Sequence, residues 1–243
     1  MDAPPQNPYY QLGSQLAASL IRYHAYEAIG LKNIPSDGGA LIAINHSFAT
    51  YDSLLLGAKI YSDTGRYPSG LADRRIFQTP GLSQFFTQIG DREGSPAVAE
   101  SLLLQGKLVI VSPGGMREAI RSSDEKYQIT WNGRFGFVRL AIKTRTPVVI
   151  AACPSADDIF TLYPNPITPA VYKYLKLPLP VLRGLGLSLI PRPVKLTHYI
   201  SKPLQPPPLR HGKDNETDVI EFHARLVQEM RELLRNSQGS RPD

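Results

Sequence analysis

The run Asn45-His46-Ser47-Phe48-Ala49-Thr50-Tyr51-Asp52 sets a histidine and a carboxylate six positions apart. Histidine is the side chain best suited to take a proton from a hydroxyl or thiol near neutral pH. A carboxylate bonded to its far ring nitrogen would fix the tautomer and stabilise the imidazolium that forms. On one continuous helix the two side chains would diverge, because neighbours on a helix face are three or four positions apart. His46 is therefore expected in a loop and Asp52 near a helix start. A turn histidine followed by a helix-capping aspartate has the same spacing, so the pattern alone leaves both readings open.

A second candidate is Val111-Ser112-Pro113-Gly114-Gly115-Met116-Arg117-Glu118-Ala119. Gly114 and Gly115 let backbone amides approach an oxyanion or a phosphate closely. Arg117 offers two hydrogen bonds to a phosphate or carboxylate, and Glu118 lies beside it. A Pro-Gly-Gly turn with an incidental ion pair fits the same letters. Arg92, in Gly90-Asp91-Arg92-Glu93-Gly94, is a further candidate anion contact, although its acidic neighbours also suit a solvated turn. His24, His198, His211 and His223 have no metal-ligand spacing and receive no role. Cys153 ends an apolar run and reads as a small core residue. No Gly-x-Ser-x-Gly elbow is present, and no metal is expected.

These residues follow short apolar runs that read as buried strands. One covers residues 40–44, a second 108–112 and a third 147–152. Helical spacing is expected over 53–61, 81–89, 96–104 and 135–144, so strands and helices alternate as in a mixed α/β sheet flanked by helices. Residues 10–29 carry Leu12, Leu16, Leu20, Tyr23 and Tyr26 at near-helical spacing, which predicts an amphipathic N-terminal helix packed on the core or facing a membrane. Residues 218–235 repeat Val219, Phe222, Leu226, Met230 and Leu233, predicting a C-terminal helix. The stretch 164–208 is dense in proline and is expected to be irregular and extended. Within it, residues 175–190 are strongly apolar with basic neighbours, which suits either core or a lipid interface.

With 243 residues, 42% hydrophobic and 20% charged, the chain suits one α/β domain, residues 1–243, rather than a disordered or polytopic protein. The net charge of +6 favours anionic partners. Lys and Arg are scattered and no nucleic-acid-binding signature accompanies them, so a lipid surface or a phosphorylated substrate is expected and nucleic acid is not. The single cysteine allows no disulfide within the chain, and no apolar run reaches the length of a membrane span. The start lacks a secretory pattern and a myristoylation glycine. The expectation is a cytoplasmic protein associated peripherally with membrane. Oligomeric state is not legible.

In this order the blocks resemble the glycerolipid acyltransferase superfamily, which includes the lysophospholipid acyltransferases. Asn45-His46 to Asp52 is similar to its first block, Gly90-Asp91-Arg92 to its second, Pro113 to Glu118 to its third and Thr146-Pro147-Val148-Val149-Ile150 to its fourth. The resemblance covers about residues 31–205. Five residues separate His46 from Asp52 where four are commoner, and Gly114 follows Pro113 where Glu is usual. Both departures look like the diacylglycerol-acyltransferase-like branch with the plastid phytyl ester synthases, as do Tyr127 to Phe137 and Gly184 to Pro193.

The resemblance implies a glycerol-3-phosphate acyltransferase-like fold. It also implies transfer of a fatty acyl group from acyl-coenzyme A or acyl-carrier protein to a lysophospholipid, glycerolipid or other lipid alcohol, in phospholipid or glycerolipid biosynthesis. His46 would be the general base with Asp52 as its partner. Arg92, Gly114, Gly115, Arg117 and Glu118 would bind substrate or developing charge, and no cofactor beyond the acyl donor is implied. A lipid-binding protein without turnover and a thioesterase or lipid hydrolase on the same fold are the alternatives.

Overall fold

The computed structural model describes residues 7–48, 51–72, 82–88, 90–165, 180–209 and 215–238. Within them a seven-stranded sheet runs in the order β1-β9-β6-β2-β5-β3-β4. The strands are β1 Glu27–Ile29, β2 Ala40–Ile44, β3 Ser69–Ala72, β4 Arg92–Glu93, β5 Leu108–Val111, β6 Val148–Ala152 and β9 Thr197–Ile200. A small antiparallel pair, β7 Thr161–Leu162 and β8 Leu182–Arg183, stands apart from it. β2 pairs parallel with both β5 and β6, and β6 pairs antiparallel with β9. The mixed α/β architecture expected from the alternating runs is therefore present.

β2 reads as an unbroken apolar run because both of its faces are covered. Leu41 and Ala43 point with Val109, Val148 and Ile150 into a cluster closed by α6, Gly136–Thr144, and α7, Glu216–Gln238. Ile42 and Ile44 point with Ile110, Val149 and Ala151 to the opposite face, where Leu56 and Ile60 of α2, Asp52–Thr64, cover them. Side chains alternate across a strand, so one five-residue run serves two cores. On α7, Val219, Phe222, Leu226, Met230 and Leu234 form the buried stripe, three or four positions apart as a helix face requires.

α1, Pro8–Tyr23, opens on an Asn7 cap whose side chain accepts the Tyr10 N–H at 2.8 Å. α3 spans Leu82–Gln88. α4, Pro96–Leu104, is capped in the same way by Ser95 and matches its expected bounds. α5, Gly115–Ala119, is a short turn of helix after β5.

Two expectations are corrected. The N-terminal helix does not run to residue 29. It stops at Tyr23, Ala25 takes a positive φ of 42°, and Glu27–Ile29 joins the sheet beside β9. Tyr26 is buried in the core from the residue just before β1, so its helical spacing is coincidental. The stretch 164–208 is not irregular throughout, because Thr197–Ile200 is a strand bonded on both edges. The prolines nearest this strand, at 191, 193 and 203, fall outside the ladder. Of the apolar stretch 175–190, residues 175–179 lie outside the described residues. Of the rest, Leu187 is 92% and Leu189 72% exposed, so this part is not core.

Candidate active site

The polar residues after β2, β5 and β6 gather at the carboxyl edge of the parallel strands, where open α/β sheets place their ligand sites. Asn45 extends the β2–β6 pairing with its side chain. Its Oδ1 accepts the Cys153 N–H at 2.8 Å and its Nδ2 donates to the Cys153 carbonyl at 3.2 Å. The side-chain amide offers its acceptor and its donor to the two groups of one peptide residue, which fixes the exit direction of the chain into His46.

His46 is half-buried, and both of its backbone polar groups are held by residues that follow β5. Its N–H donates to Glu118 Oε2 at 3.2 Å, and its carbonyl accepts from Arg121 Nη1 at 2.9 Å. The ring Nδ1 lies 3.0 Å from the Ser47 carbonyl, an acceptor that requires the proton on Nδ1 and leaves Nε2 with its lone pair. Burial lowers the imidazole pKa below its ordinary value. The Ser47 carbonyl opposes this and the Arg121 charge adds to it. The ring is thus a neutral base at physiological pH.

Asp52 is the first residue of α2 and is fully buried. It does not hydrogen-bond to His46. Ser47 stands between them, its hydroxyl donating to Asp52 Oδ1 at 3.3 Å. Oδ2 has no hydrogen-bond partner and lies 3.6 Å from Nε2 of His198, on β9. Burial pushes the Asp52 carboxyl up to about 7, against its own backbone N–H and the Ser47 hydroxyl.

The Pro-Gly-Gly segment has a definite packing reason. A Cβ on Gly114 would sit 1.8 Å from Glu118 Oε2, so the glycine makes room for that carboxylate. Glu118 is fully buried and does not touch Arg117. Besides His46 it accepts from Trp131 Nε1 at 3.3 Å and from the Thr130 N–H at 3.1 Å. Gly115 has a φ of 53° and gives its amide to the Ser112 carbonyl within the turn. A Cβ there would meet the Arg134 guanidinium at 2.8 Å, so that side chain lies across the turn. Arg117 is exposed and has no hydrogen bond or ion pair among the described residues.

Arg92 is not brought to His46. It is exposed on β4, three strands from β2, or about 14 Å at ordinary strand spacing. Its neighbour Asp91 accepts the Gly70 N–H at 3.0 Å and ties β4 to β3.

Sequence reasoning missed Arg121, Asp157 and His198. Arg121 Nη2 donates to Asp157 Oδ2 at 2.5 Å, and both side chains are nearly fully buried. Arg121 stands three positions after Glu118, the one local sign that it shares that network. Nothing local marks His198. Among the described residues, Asp52, Cys153 and His198 are the one group with a spacing that would suit a metal ion.

The sequence model of the diacylglycerol acyltransferase family matches residues 68–240. A chicken protein called DGAT1/2-independent enzyme synthesizing storage lipids is 34% identical over 183 residues, 75% of this chain and 53% of that protein. The cattle protein of the same name is 30% identical over 228 residues, 89% of this chain and 66% of that protein. The chain thus spans between about half and two thirds of these relatives. In fold, it is similar to the 1-acyl-sn-glycerophosphate acyltransferase PlsC of Thermotoga maritima, with a TM-score of 0.61 over 96% of this chain and 81% of that one, at 17% identity.

Proposed function

The chain belongs to the diacylglycerol acyltransferase family, and on that premise we propose that it carries a fatty acyl group from acyl-coenzyme A or acyl-carrier protein to the hydroxyl of a lipid alcohol. The observation that carries this reading is His46, whose Nδ1 faces the Ser47 carbonyl while its backbone is held on both sides by Glu118 and Arg121. Such a ring presents Nε2 as a fixed base.

Nε2 takes the acceptor's hydroxyl proton as that oxygen attacks the thioester carbonyl. The tetrahedral intermediate collapses, the C–S bond breaks, and the thiolate leaves with the proton from the imidazolium. Asp52 supports the imidazolium across Ser47. Arg117, exposed just after the Gly114-Gly115 turn, and Arg134, which lies against Gly115, hold the phosphates of the donor or of a lysophospholipid headgroup. A neutral glycerolipid is the other acceptor class.

The lipid is met at a surface. Tyr9, Leu12 and Leu16 form an exposed stripe on α1, and Leu185, Leu187, Leu189 and Ile190 are exposed after β8. The two patches are tied where the Tyr23 hydroxyl donates to the Pro191 carbonyl at 2.6 Å. Among the described residues no helix is long and apolar enough to cross a membrane, and exposed apolar side chains beside Arg22 and Arg183 suit an interface with anionic lipid.

The test is the purified protein with each thioester donor against lysophospholipids, diacylglycerol and long-chain alcohols, with products read by mass spectrometry. Ester that falls at least about a hundredfold in a folded His46→Ala variant is the expected result. Free acid alone would make the protein a hydrolase, and no product a lipid-binding protein.

A further inference from the structure

Asp52 Oδ2 and His198 Nε2 are both fully buried, and neither has a hydrogen-bond partner. They face each other at 3.6 Å, so each is the other's nearest means of satisfaction. An unpaired buried polar atom is costly, and a movement of about half an ångström brings this pair to the distance of a charge-assisted hydrogen bond. The other ring nitrogen, Nδ1, lies 2.9 Å from the Tyr26 hydroxyl. Tyr26 is itself buried, and its hydroxyl has no other partner among the described residues. If Nδ1 carried the proton, the hydroxyl proton of Tyr26 would be left without an acceptor. Satisfaction of the whole set therefore requires Tyr26 to donate to Nδ1 and the ring proton to sit on Nε2, aimed at Asp52.

We propose that His198, held in this tautomer by Tyr26, is a positioning residue that donates to the Asp52 carboxylate and keeps it ionised and aligned for acyl transfer. The chain Tyr26–His198–Asp52–Ser47 then runs from β1 and β9 to the His46 loop, and joins the reacting end of the sheet to residues outside all four sequence blocks. The other titratable groups facing it are Cys153 after β6, Asp157 in the turn that follows and Tyr51 before α2. None of these supplies a positive charge, so the His198 N–H is the stabilising contact for Oδ2. The proposal rests on Asp52 belonging to the acyl-transfer machinery.

The test is the pH dependence of kcat for wild type, Tyr26→Phe, His198→Gln and His198→Ala, with Asp52→Asn alongside. Loss of the donor in His198→Ala should move the acid limb upward by about one pH unit, roughly tenfold in rate below it. His198→Gln, whose amide N–H occupies the place of Nε2, should restore most of the shift. Tyr26→Phe should move the limb partway, and it keeps the proposal testable if His198→Ala does not fold. A folded His198→Ala or Tyr26→Phe protein with an unmoved limb overturns it.

Nitrogen-15 NMR of the wild-type imidazoles gives an answer that needs no turnover. A proton on Nε2 of His198, with a resonance that moves in Asp52→Asn, supports the pairing. A proton on Nδ1, or a stoichiometric metal ion in the purified protein, overturns it. If Asp52→Asn transfers acyl groups normally while the NMR result holds, the catalytic reading of Asp52 fails and the pairing stands as structure.

Discussion

Arg121 Nη1 donates to the carbonyl of His46 at 2.9 Å across 75 residues of sequence, and its Nη2 is anchored on Asp157. The position of the proposed base is thus set by a buried ion pair that belongs to neither the His46 loop nor the glycine turn. Removing Arg121 leaves two buried carboxylates, Asp157 and Glu118, the latter 3.7 Å from its Nη1, without their cation. Arg121→Met should lower stability by about 3 kcal/mol and reduce kcat more than it changes KM. Arg121→Lys should keep part of both. Urea unfolding with steady-state kinetics checks this, and a Met variant as stable and active as wild type would remove Arg121 from the site.

Glu118 faces donors on both carboxylate oxygens: the His46 N–H and Trp131 Nε1 on Oε2, and the Thr130 N–H on Oε1. In Glu118→Gln one of those oxygens becomes an NH2 group that must face an N–H. The expected cost is about 1–3 kcal/mol, accompanied by lower transfer. Gly114→Ala should mimic it, because the added Cβ overlaps the same carboxylate. Thermal melts and turnover of the two variants should fall together, and normal behaviour of Gly114→Ala would contradict the packing argument.

Arg117 is exposed and has no hydrogen bond or ion pair among the described residues, so its removal should leave folding intact. Arg117→Ala is expected to raise KM for an anionic substrate about tenfold or more, with the melting temperature unchanged. Adding Arg134→Ala should deepen the effect. Unchanged Michaelis constants for both substrates would make this turn purely structural.

Asp52 ionises in the folded protein only near pH 7, mainly because it is buried, whereas an unfolded aspartate ionises near 4. The folded state therefore binds the proton more tightly. The stability this gives is full below about pH 4 and is lost as pH rises through about 7. Asp52→Asn should melt above wild type at pH 8, by on the order of a few kcal/mol, and match it at pH 4. A gap that does not depend on pH would show that the wild-type carboxyl has its ordinary pKa. The gain would come with lost transfer, as expected where a functional group is held at a cost in stability.

The exposed Leu187 and Leu189 have little packing to lose. Leu187→Asp with Leu189→Asp should leave the fold unchanged while reducing co-sedimentation with anionic vesicles several-fold at low salt. Equal sedimentation of wild type and the pair would place the contact elsewhere, with the α1 stripe of Leu12 and Leu16 the next to vary.

Much of this arrangement is written in local sequence. Ala40–Ile44, Pro96–Leu104 and Val148–Ala152 are legible because a strand buried on both faces must be uniformly apolar, and a helix on a sheet must repeat its apolar residues every three or four positions. The placing of His46 after β2, and of Gly114 and Glu118 after β5, is legible for the same reason. Where α1 stops is not, because Tyr26 continues the helical spacing by coincidence and the competing bonds of Glu27–Ile29 lie on β9, far along the chain. β9 was hidden among prolines that spare only its four residues. Whether Glu118 faces a substrate or the core, which arginine holds His46, and which histidine faces Asp52 were decided by the sheet. Strand order brings β5, β6 and β9 around β2, and the pairing of buried charges and donors across those strands leaves no periodic trace in the chain.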